Sequence, residues 1–185
     1  SDADPSVCLQ KIADRFERAA KGVREADLLL VTFGSAYVYE WRESGRIAGN
    51  CHKLPENAFR RFRLSADQIT DEWTGLIMEL RKVRPDMKLL FTVSPVRHWK
   101  EGAHGNQLSK AALLMAVDNL QGLFPDNVHY FPAYEVMMDE LRDYRFYDED
   151  MVHPSSVAIE YIWELFGRTY FSEATKTIID EWEPI

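Results

Sequence analysis

The chain has 185 residues, 46% of them apolar and 28% charged, with 22 basic against 30 acidic side chains and a net charge of −8. That balance excludes a disordered or collagen-like chain and fits one globular domain over 1–185, since domains commonly run to about 100–200 residues. A pI near 5.2 argues against a nucleic-acid partner, because duplex affinity comes from basic groups that release counterions from phosphate. No run reaches the ~18 consecutive apolar residues of a membrane span, so no membrane partner is expected. Cys8 and Cys51 are too few for a disulfide framework, which makes the cytoplasm the expected compartment.

Cys8, Ile12, Phe16, Ala19, Ala20 and Val23 share one stripe between charged residues, the pattern of an amphipathic helix over 7–24. The run Leu28-Leu29-Leu30-Val31-Thr32-Phe33 is continuously apolar and stops at Gly34, which predicts a central parallel strand covered on both faces. Residues 36–50 hold two β-prone pieces around Glu43-Ser44-Gly45, a small hairpin or an elaborated loop. Lys53, Arg60, Arg61 and Arg63 make a basic cluster that reads as a solvated surface. Ser65 and Gln68 have capping-box spacing, and Ile69, Trp73, Leu76, Leu80 and Val83 supply the stripe of a helix that Pro85 ends.

Residues 87–93 form a second buried-type strand, 94–106 a loop rich in Gly, His and Pro, and Leu113, Val117, Leu120 and Phe124 a helix closing near Pro125. Residues 127–131 are a short third strand. Pro132, at a first helical position, opens a helix of about ten residues carrying Ala133, Met137 and Leu141. The acidic run 139–150 is punctuated by Tyr144, Phe146 and Tyr147, aromatics that predict a surface packed on something. Ala158, Ile162 and Leu165 mark another helix, and Ile178, Ile179 and Trp182 a last short one.

Alternating strands and helices predict an α/β fold with a parallel sheet and right-handed crossovers. Ligands in such sheets gather at the carboxyl ends of the strands, so the loops after Phe33, Val93 and Phe131 should face one crevice. Three strands fall short of the usual four to six or so. The hairpin near residue 40, chain upstream of residue 1, or a second molecule in a homo-oligomer would supply more.

The sharpest chemical pattern is Asp150-Met151-Val152-His153-Pro154. Pro154 drives His153 out of the helical region and onto a loop ahead of a helix. An Asp three residues back across a tight turn can hold one ring nitrogen, leaving the other free to take a proton from a hydroxyl. Ser35 is a candidate hydroxyl at a strand end. Asn50, beside Cys51 and His52, is a candidate donor to a developing oxyanion, a role worth roughly 3–4 kcal/mol in the transition state. Arg97 and His98 suit a substrate anion or hydroxyl groups, and Trp99 a sugar face. His52, His98, His104 and His153 have no metal-ligand spacing, and dinucleotide, Walker and G-x-S-x-G motifs are absent. No cofactor and no metal are expected.

The D-x-x-H pattern late in an α/β chain resembles the last motif block of the SGNH/GDSL hydrolase superfamily. The segments DLLLVTFGSAYVYEW, NCHKLP, FTVSPVRHWKEGAHGNQLSKA and FPAYEVMMDELRDYRFYDEDMVHPS more closely resemble the GSCFA-domain family. The resemblance spans nearly the whole chain. It implies a three-layer α/β/α sandwich with a flavodoxin-like parallel sheet, and an esterase-type acyl transfer to water, with an acylated small molecule or carbohydrate as substrate. The family's GSCFA stretch, where the superfamily keeps its serine, is absent here. The resemblance therefore implies a fragment lacking its first strand and nucleophile, inactive alone. Gly34 and Ser35 correspond to the block whose glycine and asparagine build the oxyanion hole, and the Asn is missing. A non-catalytic carbohydrate- or protein-binding domain on the same fold is the alternative.

Overall fold

The structure, a computed structural model, describes residues 4–49, 51 and 53–182. In chain order these form α1 (Pro5–Glu25), β1 (Leu28–Phe33), β2 (Tyr37–Trp41), β3 (Arg46–Ala48), β4 (Phe59–Arg63), α2 (Ala66–Val83), β5 (Lys88–Val93), α3 (Gly102–Leu123), β6 (Val128–Phe131), α4 (Ala133–Glu135), α5 (Ser156–Tyr170) and α6 (Glu173–Trp182). A π-helical turn, Val136–Glu140, continues α4. Strands β1, β5 and β6 make a parallel sheet in the order β1-β5-β6. The fold is α/β, as the element pattern predicts.

Packing explains which strand is central. Leu89, Leu90, Phe91 and Val93 of β5 are all inaccessible to solvent, so this strand is covered on both faces. Leu89 and Phe91 meet Ile77 of α2 and Val117 and Leu120 of α3, joined by Val31 and Phe33 of β1. Phe33, Trp73 and Phe91 pack edge-to-face or tilted, with ring centroids 4.9–5.3 Å apart, a geometry worth about 0.5–1.5 kcal/mol per pair beyond area burial. On the opposite face Leu90, Phe131 and Ala133 meet Ile162, Leu165 and Phe166 of α5.

Strand β1 is not central. It lies at the sheet edge, and Leu28 and Leu30 are half exposed while Leu29, Val31 and Phe33 turn inward. An unbroken apolar run satisfies a two-faced strand equally well, so the sequence alone does not separate the two cases. Between Leu30, Phe131 and α5 runs an apolar groove of about 270 Å³, with Pro154 and Trp163 in its wall. Helix α1 forms as its stripe predicts, capped by Asp4 accepting from the Ser6 N–H at 2.8 Å, yet none of its residues is buried and Phe16 is 74% exposed.

The hairpin of β2 and β3 forms around Gly45, whose φ of 66° is the left-handed conformation that suits glycine. It does not extend the parallel sheet. It pairs instead with β4, a strand missing from the sequence reading, in a separate antiparallel sheet ordered β3-β2-β4. Lys53, Arg60 and Arg63 are exposed, as expected of a solvated basic cluster, but Arg61 is not. Arg61 is mostly covered, pairs with Glu101, and lies 4.4 Å from the Tyr37 ring centroid, while Arg60 bonds Glu40 at 2.9 Å. Arginine stems bury against aromatic faces, so Phe-Arg-Arg-Phe-Arg makes a strand despite its charge.

Three further expectations change. Helix α3 begins at Gly102, so the end of the expected loop 94–106, from Gly102 on, is helical. Residues 133–140 form one α turn and a π turn rather than a ten-residue helix, with Pro132 just outside it; Ala133, Met137 and Leu141 are nonetheless buried. Of the aromatics in the acidic run, Phe146 and Tyr147 pack inward on Met137, Leu141 and Ala158, and Tyr144 stays exposed.

Gly105 provides a test of this packing. A Cβ there would lie 2.4 Å from Glu101 Cβ. An ordinary mid-helix Gly→Ala change gains up to about 1 kcal/mol, whereas forced overpacking costs about 1–3 kcal/mol. Gly105→Ala is therefore expected to destabilise the chain, read as a lower urea midpoint; a raised midpoint would contradict the close approach.

Candidate active site

The loop carrying Asp150 and His153 is closed by its own backbone. Asp148 N–H donates to His153 O at 2.8 Å, Met151 N–H to Asp148 O at 2.9 Å, and Tyr147 bridges Pro154 in antiparallel fashion. Met151 takes the left-handed conformation, φ 59°, strain of order 1–3 kcal/mol that surrounding bonds must hold in place. They centre on Asp150. Its Oδ1 accepts the N–H groups of Val152 (2.8 Å) and His153 (2.9 Å), and its Oδ2 lies 2.6 Å from His153 Nδ1.

These bonds, first the His153 backbone N–H, then its ring and the Val152 N–H, hold the Asp150 carboxyl down at about 2 from its ordinary 3.8. A depressed carboxyl contributes stability above the unfolded-state value and loses it as pH falls through the folded value. The loop is thus expected to stay closed to well below pH 3.8. A carbon-detected titration placing Asp150 at its ordinary value would contradict this. The His153 side chain is 59% exposed, and its Nε2 has no hydrogen-bond partner among the described residues.

A second set of groups gathers at the carboxyl ends of β1 and β5. Lys110 Nζ donates to Gly34 O at 2.7 Å and Ser94 O at 2.6 Å, tying the two strand ends together. The residue is 1% exposed, and burial lowers its amine to about 8. His98 Nε2 lies 3.1 Å from the same Gly34 carbonyl, and its basicity is lowered by burial and then by Lys110. A neutral His98 bonded this way carries its proton on Nε2. Ser109 Oγ accepts the Ala36 N–H at 2.8 Å and approaches Ser35 Oγ at 3.4 Å, while Ser35 Oγ accepts the Tyr37 N–H at 3.1 Å. Asn106 Oδ1 accepts the His98 N–H at 3.0 Å.

The sequence candidates therefore fall into two places. Asp150 and His153 meet on one loop; Gly34, Ser35 and His98 meet at the strand ends. Arg97 joins these regions, because its N–H donates to Val152 O at 3.1 Å. No hydrogen bond links Ser35 to His153 among the described residues, and Asn50 lies outside those residues. Sequence reasoning missed Asn106, Ser109 and Lys110. The signal was present: extending the stripe of Leu113 and Val117 back by one and two turns lands on these three polar residues. Among the described residues no three His, Cys, Asp or Glu side chains are grouped to hold a metal ion, and no helix is long and apolar enough to cross a membrane.

Fold and site together define an α/β protein with a carboxylate-oriented histidine on a loop next to the strand-end loops of a parallel sheet. A sequence model of the GSCFA family matches residues 1–166, and the chain belongs to that family. No curated protein and no solved structure matches it.

Proposed function

We propose that this chain is an SGNH-like ester hydrolase domain, its helices and sheet arranged as that superfamily's three-layer sandwich, acting on an acylated small molecule or carbohydrate. The observation that carries this reading is the Asp150 carboxylate, which holds both the backbone and the Nδ1 of His153 and leaves Nε2 without a partner among the described residues. In the reaction a serine hydroxyl attacks the ester carbonyl, and its proton passes to His153 Nε2. Asp150 steadies the imidazolium from the other side. The tetrahedral intermediate collapses, His153 returns the proton to the leaving alcohol, and water then cleaves the acyl-serine by the same route. The backbone around Gly34 and Ser35, fixed by Lys110 and His98, and Asn50 are the candidates for oxyanion donors.

The test is labelling of the intact protein with a serine-directed phosphonate. Stoichiometric labelling that falls away in His153→Ala is the expected result. Absence of labelling in the folded wild-type protein would overturn the reading in favour of a non-catalytic binding domain.

A further inference from the structure

Beside the Asp150–His153 loop lies a cavity of about 160 Å³ whose wall includes Arg97, Trp99, Asn106, Gln107 and Tyr134. Its polar groups are unevenly committed. The acceptors are used: Asn106 Oδ1 takes the His98 N–H, and Gln107 Oε1 takes the Tyr134 hydroxyl. The donors are not. Among the described residues, the amide nitrogens of Asn106 and Gln107, the Trp99 indole N–H and the Arg97 guanidinium have no hydrogen-bond acceptor, and Arg97 has no carboxylate partner. Its guanidinium lies over the Tyr147 ring at 4.0 Å, a stacking contact that fixes its plane without neutralising its charge. Asp143, in the wall of the neighbouring cavity that Arg97 also lines, is spent on Arg145 at 2.9 Å. An uncompensated cation ringed by free donors, in a chain of net charge −8, calls for an acceptor-rich anion. Guanidinium is the side chain best shaped to grip carboxylate or phosphate through paired bonds. Trp99 is half exposed at the rim and offers a flat face to a ring carrying that anion.

We infer that the Arg97–Gln107 cavity binds an oxyanion, a carboxylate or a phosphate, borne on a sugar-sized ring that packs against Trp99. Arg97 is one hydrogen bond away from Val152, the neighbour of His153. An acid group held there brings its molecule to a cavity whose wall is joined, through the Arg97 backbone, to the loop that carries the imidazole. Only in calling that molecule the substrate does this inference rest on the hydrolase reading; binding itself does not.

Calorimetric titration of the intact protein with glucuronate, glucose 6-phosphate and glucose tests it. At least one of the two anions is expected to bind in the millimolar range or better, and at least tenfold more tightly than glucose; the tighter anion identifies the group. Arg97→Gln is expected to weaken binding tenfold or more. Because that change also removes the contact with Tyr147, Gln107→Glu is the second variant. It can keep accepting from Tyr134 while adding a carboxylate that competes for Arg97, and it too is expected to lose the anion tenfold, with an unchanged melting temperature. No binding of either anion, equal binding of glucose, or unchanged anion binding in a folded Gln107→Glu variant overturns the inference. Anion binding in a protein that phosphonate does not label would retain the cavity's role and remove the hydrolase reading. Labelling without anion binding would do the reverse.

Discussion

Replacing His153 with alanine in the intact protein is expected to slow cleavage of a short-chain aryl ester by about three to four powers of ten, as triad deletions do. The size follows from what the ring must do twice: accept the proton of the attacking hydroxyl, then deliver it to the leaving alcohol. Asp150→Asn is expected to be nearly as damaging. An amide can still hold the loop through its oxygen, but it can donate to Nδ1 and thereby favour the tautomer whose proton occupies Nε2, the position that must be empty. The His153 side chain is 59% exposed, and truncating an exposed side chain usually changes stability by less than about 0.5 kcal/mol, whereas Asp150→Asn also weakens the bonds that hold the loop. Lost activity in a folded variant is then chemical, and unchanged turnover in His153→Ala would remove the proposed role.

Lys110→Met is expected to cost the fold about 2 kcal/mol at neutral pH, from opposing terms. Methionine fills nearly the same volume, but Ser94 O is left without a partner and Gly34 O keeps only His98. A buried carbonyl left unpaired costs roughly 1–3 kcal/mol. Removing a desolvated cation offsets part of that loss. In a chain of this length the net change lowers the melting temperature by about 4–8 °C.

The pH dependence identifies the cause. The folded Lys110 amine sits at about 8, against 10.5 for its ordinary value. Between those values the unfolded chain binds more protons than the native one, so wild-type stability gains from this residue as pH rises through that window. The neutral amine still has two N–H groups for its two carbonyls. The Met variant lacks this gain, and the stability gap is expected to widen from pH 7 to pH 10. Denaturation curves showing a constant or shrinking gap would contradict a buried ammonium bonded only to backbone carbonyls.

Some of this protein was written plainly along its chain. The capping box at Ser65 and Gln68, the apolar run of β5, the stripe of α2 and the turn at Gly45 are local signals, each decided within a few residues. So was Asp150-x-x-His153: a carboxylate three positions before a histidine that precedes proline closes on the ring through its own backbone. The family resemblance carried by DLLLVTFGSAYVYEW and the later segments was equally legible, and residues 1–166 match the GSCFA family.

What the tertiary structure decided were the questions of which neighbour a side chain meets. The run at 28–33 is apolar whether one face or both are covered, and only strand order makes β1 an edge and β5 the centre. Phe-Arg-Arg-Phe-Arg became a strand because Glu40 and Glu101, and the Tyr37 ring, come from elsewhere in the chain to receive its guanidinium groups. Asn106, Ser109 and Lys110 gained a role because their helix face meets the ends of two strands. Hydrogen bonds and periodicity inside one element can be read in order along a chain; burial and charge compensation depend on residues tens of positions away, and those meet only when the layers pack.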